Sequence, residues 1–322
     1  MLINFSKVSK SYKIRLQNGL KGFLNPVFHR VPALNDLSFT VENPGITGLI
    51  GENGAGKSTA IKLLTGILSP DSGEISVLGM DPFRQRKQLM NLVGIVFGQR
   101  SILRPTIPVR YSYEWLRGIY RVPKEEHQKN LEYLCELFGI TELIARPPRE
   151  LSLGQRRKCD IVAALLHSPK FLFLDEPSIG LDFRAKHTLR ELLVRYVREN
   201  NVAAIISSHD LNELENMCDN FLIVSHGSLQ FSGTREDIEH EMDLNNLLYV
   251  ETEGPSDVPI EESLSGLRQF ATSVVQEGDT LKIAFNDSVD RIMKLLYDGF
   301  KVRDIKVQRK SLEDALVVGD TR

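Results

Sequence analysis

Gly51-Glu52-Asn53-Gly54-Ala55-Gly56-Lys57-Ser58-Thr59 is the stretch that decides the fold. Its glycines let the backbone curl until successive N–H groups converge on phosphate oxygens. Lys57 has the reach for β- and γ-phosphates, and Ser58 carries the hydroxyl that holds Mg²⁺ in such loops. The apolar run Ile46 to Ile50 precedes the loop and reads as a strand. Thr59 to Leu68 follows and reads as a helix whose N-terminus faces the anion. Strand, glycine turn and helix together predict a parallel α/β core built around a nucleoside triphosphate.

Working outward, the 322 residues are enough for two domains, or for one large domain with an extension. Apolar residues make up 42% and charged residues 25%, as in ordinary globular proteins. The net charge of -2 gives no reason to expect nucleic acid. Cys135, Cys159 and Cys218 form no ligand-spaced cluster, so a reducing compartment without a disulfide framework is expected. Cys159 reads as a buried helix residue. No run approaches the roughly 20 apolar residues of a bilayer span, and no secretory leader is evident. If the protein works at a membrane, another chain supplies the span.

Residues 2 to 8 read as an edge strand, followed by Tyr12. Lys13 to Arg30 is rich in Lys, Arg and Gly and interrupts the pattern before a strand at Leu37 to Val41. It reads as a solvated loop or as a basic patch for lipid or a partner. Short strands are expected at Glu74 to Val77 and Val93 to Phe97. Ile102 to about Leu165 looks mostly helical, with a break at Pro147-Pro148. Phe171 to Leu174 and Val202 to Ser207 are buried-strand candidates separated by a charged helix from Arg184 to Asn200, which is a crossover unit. Phe221 to Val224 and Ser228 to Phe231 look like a hairpin. After about residue 236 the pattern changes to a small mixed region. It has a hairpin through Glu277-Gly278-Asp279, a helix presenting Val289, Ile292 and Leu296, and a strand at Val302 to Val307. That region shows no catalytic cluster and reads as regulatory, docking or structural.

Asp175 and Glu176 end the run Phe171 to Leu174. A carboxylate at a strand's C-terminal end lies where parallel sheets bind ligands. Asp175 suits Mg²⁺, and Glu176 suits the polarisation of attacking water. Leu151-Ser152-Leu153-Gly154-Gln155 offers a serine helix cap and a second helix N-terminus. Alone it is a plain cap, but its Gln155 stands 20 residues before Asp175.

With these motifs in this order, residues 1–235 resemble the nucleotide-binding subunits of ABC transporters. Gly51 to Thr59 matches the Walker A loop, with Gly51, Asn53, Gly54, Ala55, Gly56, Lys57, Ser58 and Thr59 around the phosphates. Gln99 matches the Q-loop glutamine. Leu151 to Gln155 matches the signature, with Leu153 where glycine is more common. Asp175 and Glu176 match the Walker B acids, Ser178 to Asp182 the D-loop, and His209 the switch histidine. Tyr12 looks like the aromatic that stacks on adenine. Leu-Ser-Leu-Gly-Gln, the Gly98-Gln99-Arg100-Ser101 context and the insertion are similar to the ABC-2 branch of sodium- and drug-export ATPases.

The resemblance implies an ABC-type P-loop domain with an antiparallel β subdomain and a helical subdomain at about 100–165, plus a small α+β domain at 236–322. It implies a Mg²⁺-dependent ATPase. Glu176, His209, Gln99 and Lys57 would be catalytic; Ser58, Gln99 and Asp175 would hold metal; Ser152, Gly154, Gln155 and Asp182 would approach nucleotide. Its partners would be a multi-span permease and a second nucleotide-binding subunit, read as a homodimer, at the cytoplasmic membrane face. A rival is an ABC-type ATPase acting on ribosomes or chromosomes, against which stand one Walker A loop and no sustained heptads.

Overall fold

The computed structural model describes residues 1–15, 28–98, 100–215, 217–241, 246–255, 264, 266–268, 270–271, 273–285 and 289–309. The chain forms two compact units, Met1–Thr234 and Arg235–Arg322.

In the first unit the strands are β1 Ile3–Arg15, β2 Phe28–Val41, β3 Gly45–Ile50, β4 Ser72–Val77, β5 Val93–Phe97, β6 Phe171–Asp175, β7 Ala203–Ser208, β8 Asn220–Ser225 and β9 Ser228–Gly233. The helices are α1 Lys57–Leu64, α2 Arg86–Leu89, α3 Val109–Tyr120, α4 Lys124–Phe138, α5 Leu153–Leu165, α6 Phe183–Glu199 and α7 Leu211–Glu215.

A six-stranded sheet runs in the order β5-β6-β7-β3-β8-β9. Its pairs are parallel from β5 through β8, and β9 adds the one antiparallel edge. β6 and β7 are buried at every position, as continuous apolar runs in a sheet covered on both faces should be. A three-stranded antiparallel sheet, β2-β1-β4, forms the second layer.

α1 is the filling between these layers. Ala60, Ile61, Leu63 and Leu64 join one core with Ile3, Phe5 and Val8 of β1, Leu49 of β3 and Phe171 and Phe173 of β6. Each of the larger side chains, Ala60 aside, contributes about 1.5–3 kcal/mol on burial. The helix after the phosphate loop is therefore fixed by the core on its flank while its N-terminus stays at the sheet edge.

Two local expectations need correction. The helix ends at Leu64 rather than Leu68, because Gly66 takes a left-handed φ of 65°. Gly66 N donates to Leu63 O and Ile67 N to Lys62 O, the paired bonds of a Schellman cap. Likewise β1 is the middle strand of its sheet, not an edge. Both ends of the Lys13 to Arg30 segment are strand: β1 runs to Arg15 and β2 begins at Phe28, with Tyr12 opposite Val31. Residues 16–27 lie outside the described residues.

The helical region packs α3 and α4 on α5. The fully buried Tyr113 hydroxyl of α3 donates to the Cys159 carbonyl of α5 at 3.0 Å. Cys159 is buried, as its helical position requires.

Gly51 shows how closely the loop is set into the sheet. A Cβ there would lie 2.1 Å from the Val224 carbonyl oxygen of β8. Gly51→Ala is expected to cost about 3 kcal/mol, as overpacking against backbone does. Thermal unfolding would fall by about 5–10 °C.

The second unit contains α8 Arg235–Glu241, β10 Asn246–Pro255, β11 Ser273–Glu277, β12 Thr280–Phe285, α9 Val289–Gly299 and β13 Phe300–Arg309. Residues 264 and 266–268, between β10 and β11, are helical. The antiparallel sheet order is β11-β12-β10-β13, giving the β-α-β-β-α-β arrangement of ferredoxin-like domains. Leu248, Val250, Leu281, Ile283 and Phe285 pack with Ile292 and Leu296 of α9. Val289, expected on the same buried face, is instead 36% exposed at the helix's first position.

Candidate nucleotide-binding and hydrolysis site

The carboxyl ends of β3, β5, β6 and β7 deliver their following residues to one edge of the sheet, where parallel α/β folds bind ligands. A cavity of about 690 Å³ opens there. Asn53, Ser58, Asp175, Glu176 and His209 line it.

At the loop, Gly54 leaves open space around its α-carbon, so nothing blocks a close-approaching ligand. Gly56 adopts a φ of 108°, and a Cβ there would meet Ala33 O at 2.7 Å. Ala55 is fastened by its N–H to Glu52 O and by its carbonyl to Gly227 N. Lys57 is 5% exposed, and its ammonium donates to the carbonyls of Gly51 at 2.6 Å and Glu52 at 3.0 Å. It also stands 3.9 Å from Glu176 Oε1. Burial pushes the Lys57 pKa below its ordinary value, while Glu176 and Asp175 pull it back up.

Ser58 Oγ donates to Asp175 Oδ1 at 3.0 Å, joining the hydroxyl and carboxylate that fit a magnesium ion. Among the described residues no group of three His, Cys, Asp or Glu forms a metal cage. Magnesium does not need one, since it is held by one or two carboxylates and by substrate phosphates. Ser207 Oγ donates to the same Asp175 oxygen at 2.7 Å and accepts from Glu176 N at 3.0 Å. Ser207 was not among the expected site residues. The available signal was a polar pair, Ser207-Ser208, at the end of an apolar strand.

Glu176 has a φ of 48°, a left-handed conformation costing about 1–3 kcal/mol for a residue other than glycine. Its backbone N–H also reaches Ser207 O at 3.2 Å, which holds the strained residue in place. His209 Nδ1 lies 3.2 Å from Glu176 Oε2. Lys57, Ser58, Asp175, Glu176 and His209 are thus brought together from separate elements.

The remaining expected residues are placed as follows. Tyr12 hydroxyl meets Thr59 Oγ1 at 3.2 Å, so this aromatic lies over the start of α1. Ser152 caps α5: its Oγ accepts from Gln155 N at 3.2 Å, while Gln155 Oε1 accepts from Ser152 N at 3.0 Å. That capping box uses Gln155 for orientation and leaves the Ser152 hydroxyl proton free to donate. Gly154, in the first turn of α5, faces α6, where an added Cβ would be 3.5 Å from that of Ala185. Asp182 caps α6 through Ala185 N at 2.9 Å. Gln99 lies outside the described residues.

The sequence pattern of a family described as ABC transporter matches residues 34–179. The "ABC transporter ATP-binding protein NatA" of Bacillus subtilis (strain 168) is 30% identical over 218 residues, 67% of this chain and 88% of that protein. The "Uncharacterized ABC transporter ATP-binding protein YhcH" of the same organism is 29% identical over 291 residues, 90% of this chain and 92% of that protein. A solved structure described as the ATP-binding subunit of an ABC transporter superposes with a TM-score of 0.64 at 26% identity, covering 76% of this chain and 94% of that one. Phosphate loop, paired acids and histidine at one sheet edge agree with these relationships: the chain belongs to the ABC transporter ATP-binding family and is an ABC-type ATPase.

Proposed function

We propose that this ATPase works as a head-to-tail homodimer on the cytoplasmic face of a membrane and drives a separate multi-span permease of the ABC-2 export type. Bound Mg²⁺-ATP supplies the phosphoanhydride whose terminal phosphoryl group passes to water. Lys57 turns from the loop carbonyls to the phosphate oxygens, and Ser58 and Asp175 hold the metal. Glu176 orients the attacking water and accepts its proton; His209 steadies Glu176 and donates toward the γ-phosphate. The Ser152 hydroxyl and the Gly154 backbone, at the exposed N-terminus of α5, meet the phosphate held by the other subunit. Water exclusion on closure strengthens these contacts, and loss of the bridging phosphate weakens them.

The single observation that carries the partner reading is a stripe on α3. Tyr111, Trp115 and Ile119, spaced by four residues, are 52%, 48% and 51% exposed. Contiguous apolar surface at helical spacing is what a partner helix covers. Arg104 lies 5.2 Å from the Trp115 ring centroid and caps the stripe with charge. Among the described residues no helix is long and apolar enough to cross a membrane, so the span belongs to the partner in this reading.

The test is isolation of the native membrane complex. The chain should copurify with a multi-span protein, and its transported compound should raise ATPase activity. Trp115→Ala with Tyr111→Ala should weaken that association by about thirtyfold, as loss of an aromatic anchor does, with the isolated ATPase within about twofold of wild type. Association with ribosomes in place of a membrane protein would overturn the reading.

A further inference from the structure

In its first turns behind the Ser152 cap, α5 carries Arg157 and Asp160, each only 4% exposed. Charged groups are costly to bury unless hydrogen bonds satisfy them, so their partners matter. Arg157 reaches forward to the end of β5: Nη1 donates to Phe97 O at 3.3 Å and Nη2 to Gly98 O. Asp160 Oδ1 accepts from Ser101 Oγ at 2.6 Å. α5 therefore grips the chain on both sides of position 99.

Gly98 is held equally tightly from the other direction. Its N–H donates to Asp175 O at 2.6 Å. A Cβ at this position would stand 2.6 Å from Glu176 O and 3.0 Å from Asp175 O, so only glycine fits without a shift. A continuous path of hydrogen bonds and close contact thus runs from the Ser152 cap, along rigid α5, through the Arg157 fork and Gly98, to the backbone of the two acids. Glu176, in its left-handed conformation, is the residue whose aim such a path would set.

We propose that Arg157 is a positioning residue. It transmits engagement of the α5 N-terminus to Asp175 and Glu176 of the same chain, so that capture of one nucleotide prepares hydrolysis at the other. The inference rests on the head-to-tail dimer, in which α5 contacts the nucleotide held by the second copy. The planar fork holds the Phe97 and Gly98 carbonyls with two separate nitrogens in one fixed plane, an orientation that the single rotatable ammonium of a lysine does not fix. The two sites then communicate through a described contact chain.

The experiment uses the full chain. Wild type, Arg157→Lys and Ser101→Ala are compared by ATPase rate against ATP concentration, by binding of a fluorescent ATP analogue without Mg²⁺, and by thermal melting. Wild type should show a Hill coefficient near about 2, the number of coupled sites. R157K should lower kcat about tenfold and bring the Hill coefficient to about 1, with analogue affinity unchanged and only the modest fall in melting temperature that goes with a lost buried hydrogen bond. S101A, which loosens only the far flank and keeps Arg157, should move both kinetic values the same way by a smaller factor, about threefold in kcat. Non-cooperative wild type, or variants with wild-type kcat and Hill coefficient, would overturn the coupling. So would a fall in melting temperature at unchanged Hill coefficient, which marks a simple brace. Glu176→Gln, sized in solution with ATP, separates the two readings: a monomer overturns the dimer and the coupling together. A Glu176→Gln dimer beside wild-type behaviour of R157K overturns the coupling alone.

Discussion

Glu176→Gln will keep ATP bound and turn it over at least about 100-fold more slowly than wild type, the scale of a lost general base. The substitution replaces a carboxylate oxygen by an amide nitrogen without changing shape, so the strained backbone at 176 and its bonds to Ser207 persist. The phosphate loop, Ser58 and Asp175 are untouched. What disappears is the proton acceptor 3.2 Å from His209 and 3.9 Å from the Lys57 ammonium. Removing that negative charge lowers repulsion toward the triphosphate, so nucleotide affinity should hold or rise. With hydrolysis stalled, the ATP-bound dimer should accumulate, and light scattering after gel filtration will read its mass. Single-turnover and steady-state rates should fall together, because the interaction is made in the transition state. A mutant with wild-type turnover would remove Glu176 from this role.

The sequence exposed chemistry more readily than contacts. Lys57 and Ser58 could be singled out from the glycine-loop pattern, Asp175 and Glu176 from the end of an apolar run, where a parallel sheet turns its carboxyl edge to ligand, and His209 from the resemblance. The strand succession from β5 to β9 followed from the same runs. Helix α1 was drawn one turn too long because Ile67 and Leu68 continue the apolar pattern, while Gly66 reverses the chain. β1 was misplaced at an edge because its hydrogen-bond partners are distant in sequence: Phe5 pairs with Phe39 on one side and with Ile75 on the other. Ser207 and Arg157 escaped notice for the same reason. Ser207 meets Asp175 across 32 positions, and Arg157 meets Gly98 across 59. Periodicity records which face of an element is covered. It holds no record of which distant carbonyl a buried guanidinium satisfies. In the C-terminal unit the hairpin of β11 and β12 and the alternation of β13 marked strands, but the central place of β10 between β12 and β13 is a property of topology that no local pattern carries.

Lys57→Ala should abolish useful ATP binding, raising Kd by at least about 100-fold, as loss of a charge-assisted contact to phosphate would do. Folding should survive. Lys57 is a buried cation whose burial works against its charge, and Glu176 and Asp175 offset this. Deleting the side chain removes that opposition along with the attraction, so the ligand-free melting temperature should shift little. The informative reading is the response to ligand. A nucleotide that binds only the folded protein raises its melting temperature by mass action, by about 2.7 kcal/mol of stability at a concentration of 100 Kd. Wild type should show that rise with ATP, and Lys57→Ala should show almost none at the same concentration. Lys57→Arg should also fail, because a planar fork is wider than the ammonium that now fits between the Gly51 and Glu52 carbonyls at 2.6 and 3.0 Å. An undiminished ATP-dependent rise in Lys57→Ala would show that phosphate is held by the loop's backbone alone, and the lysine would lose its place in the site.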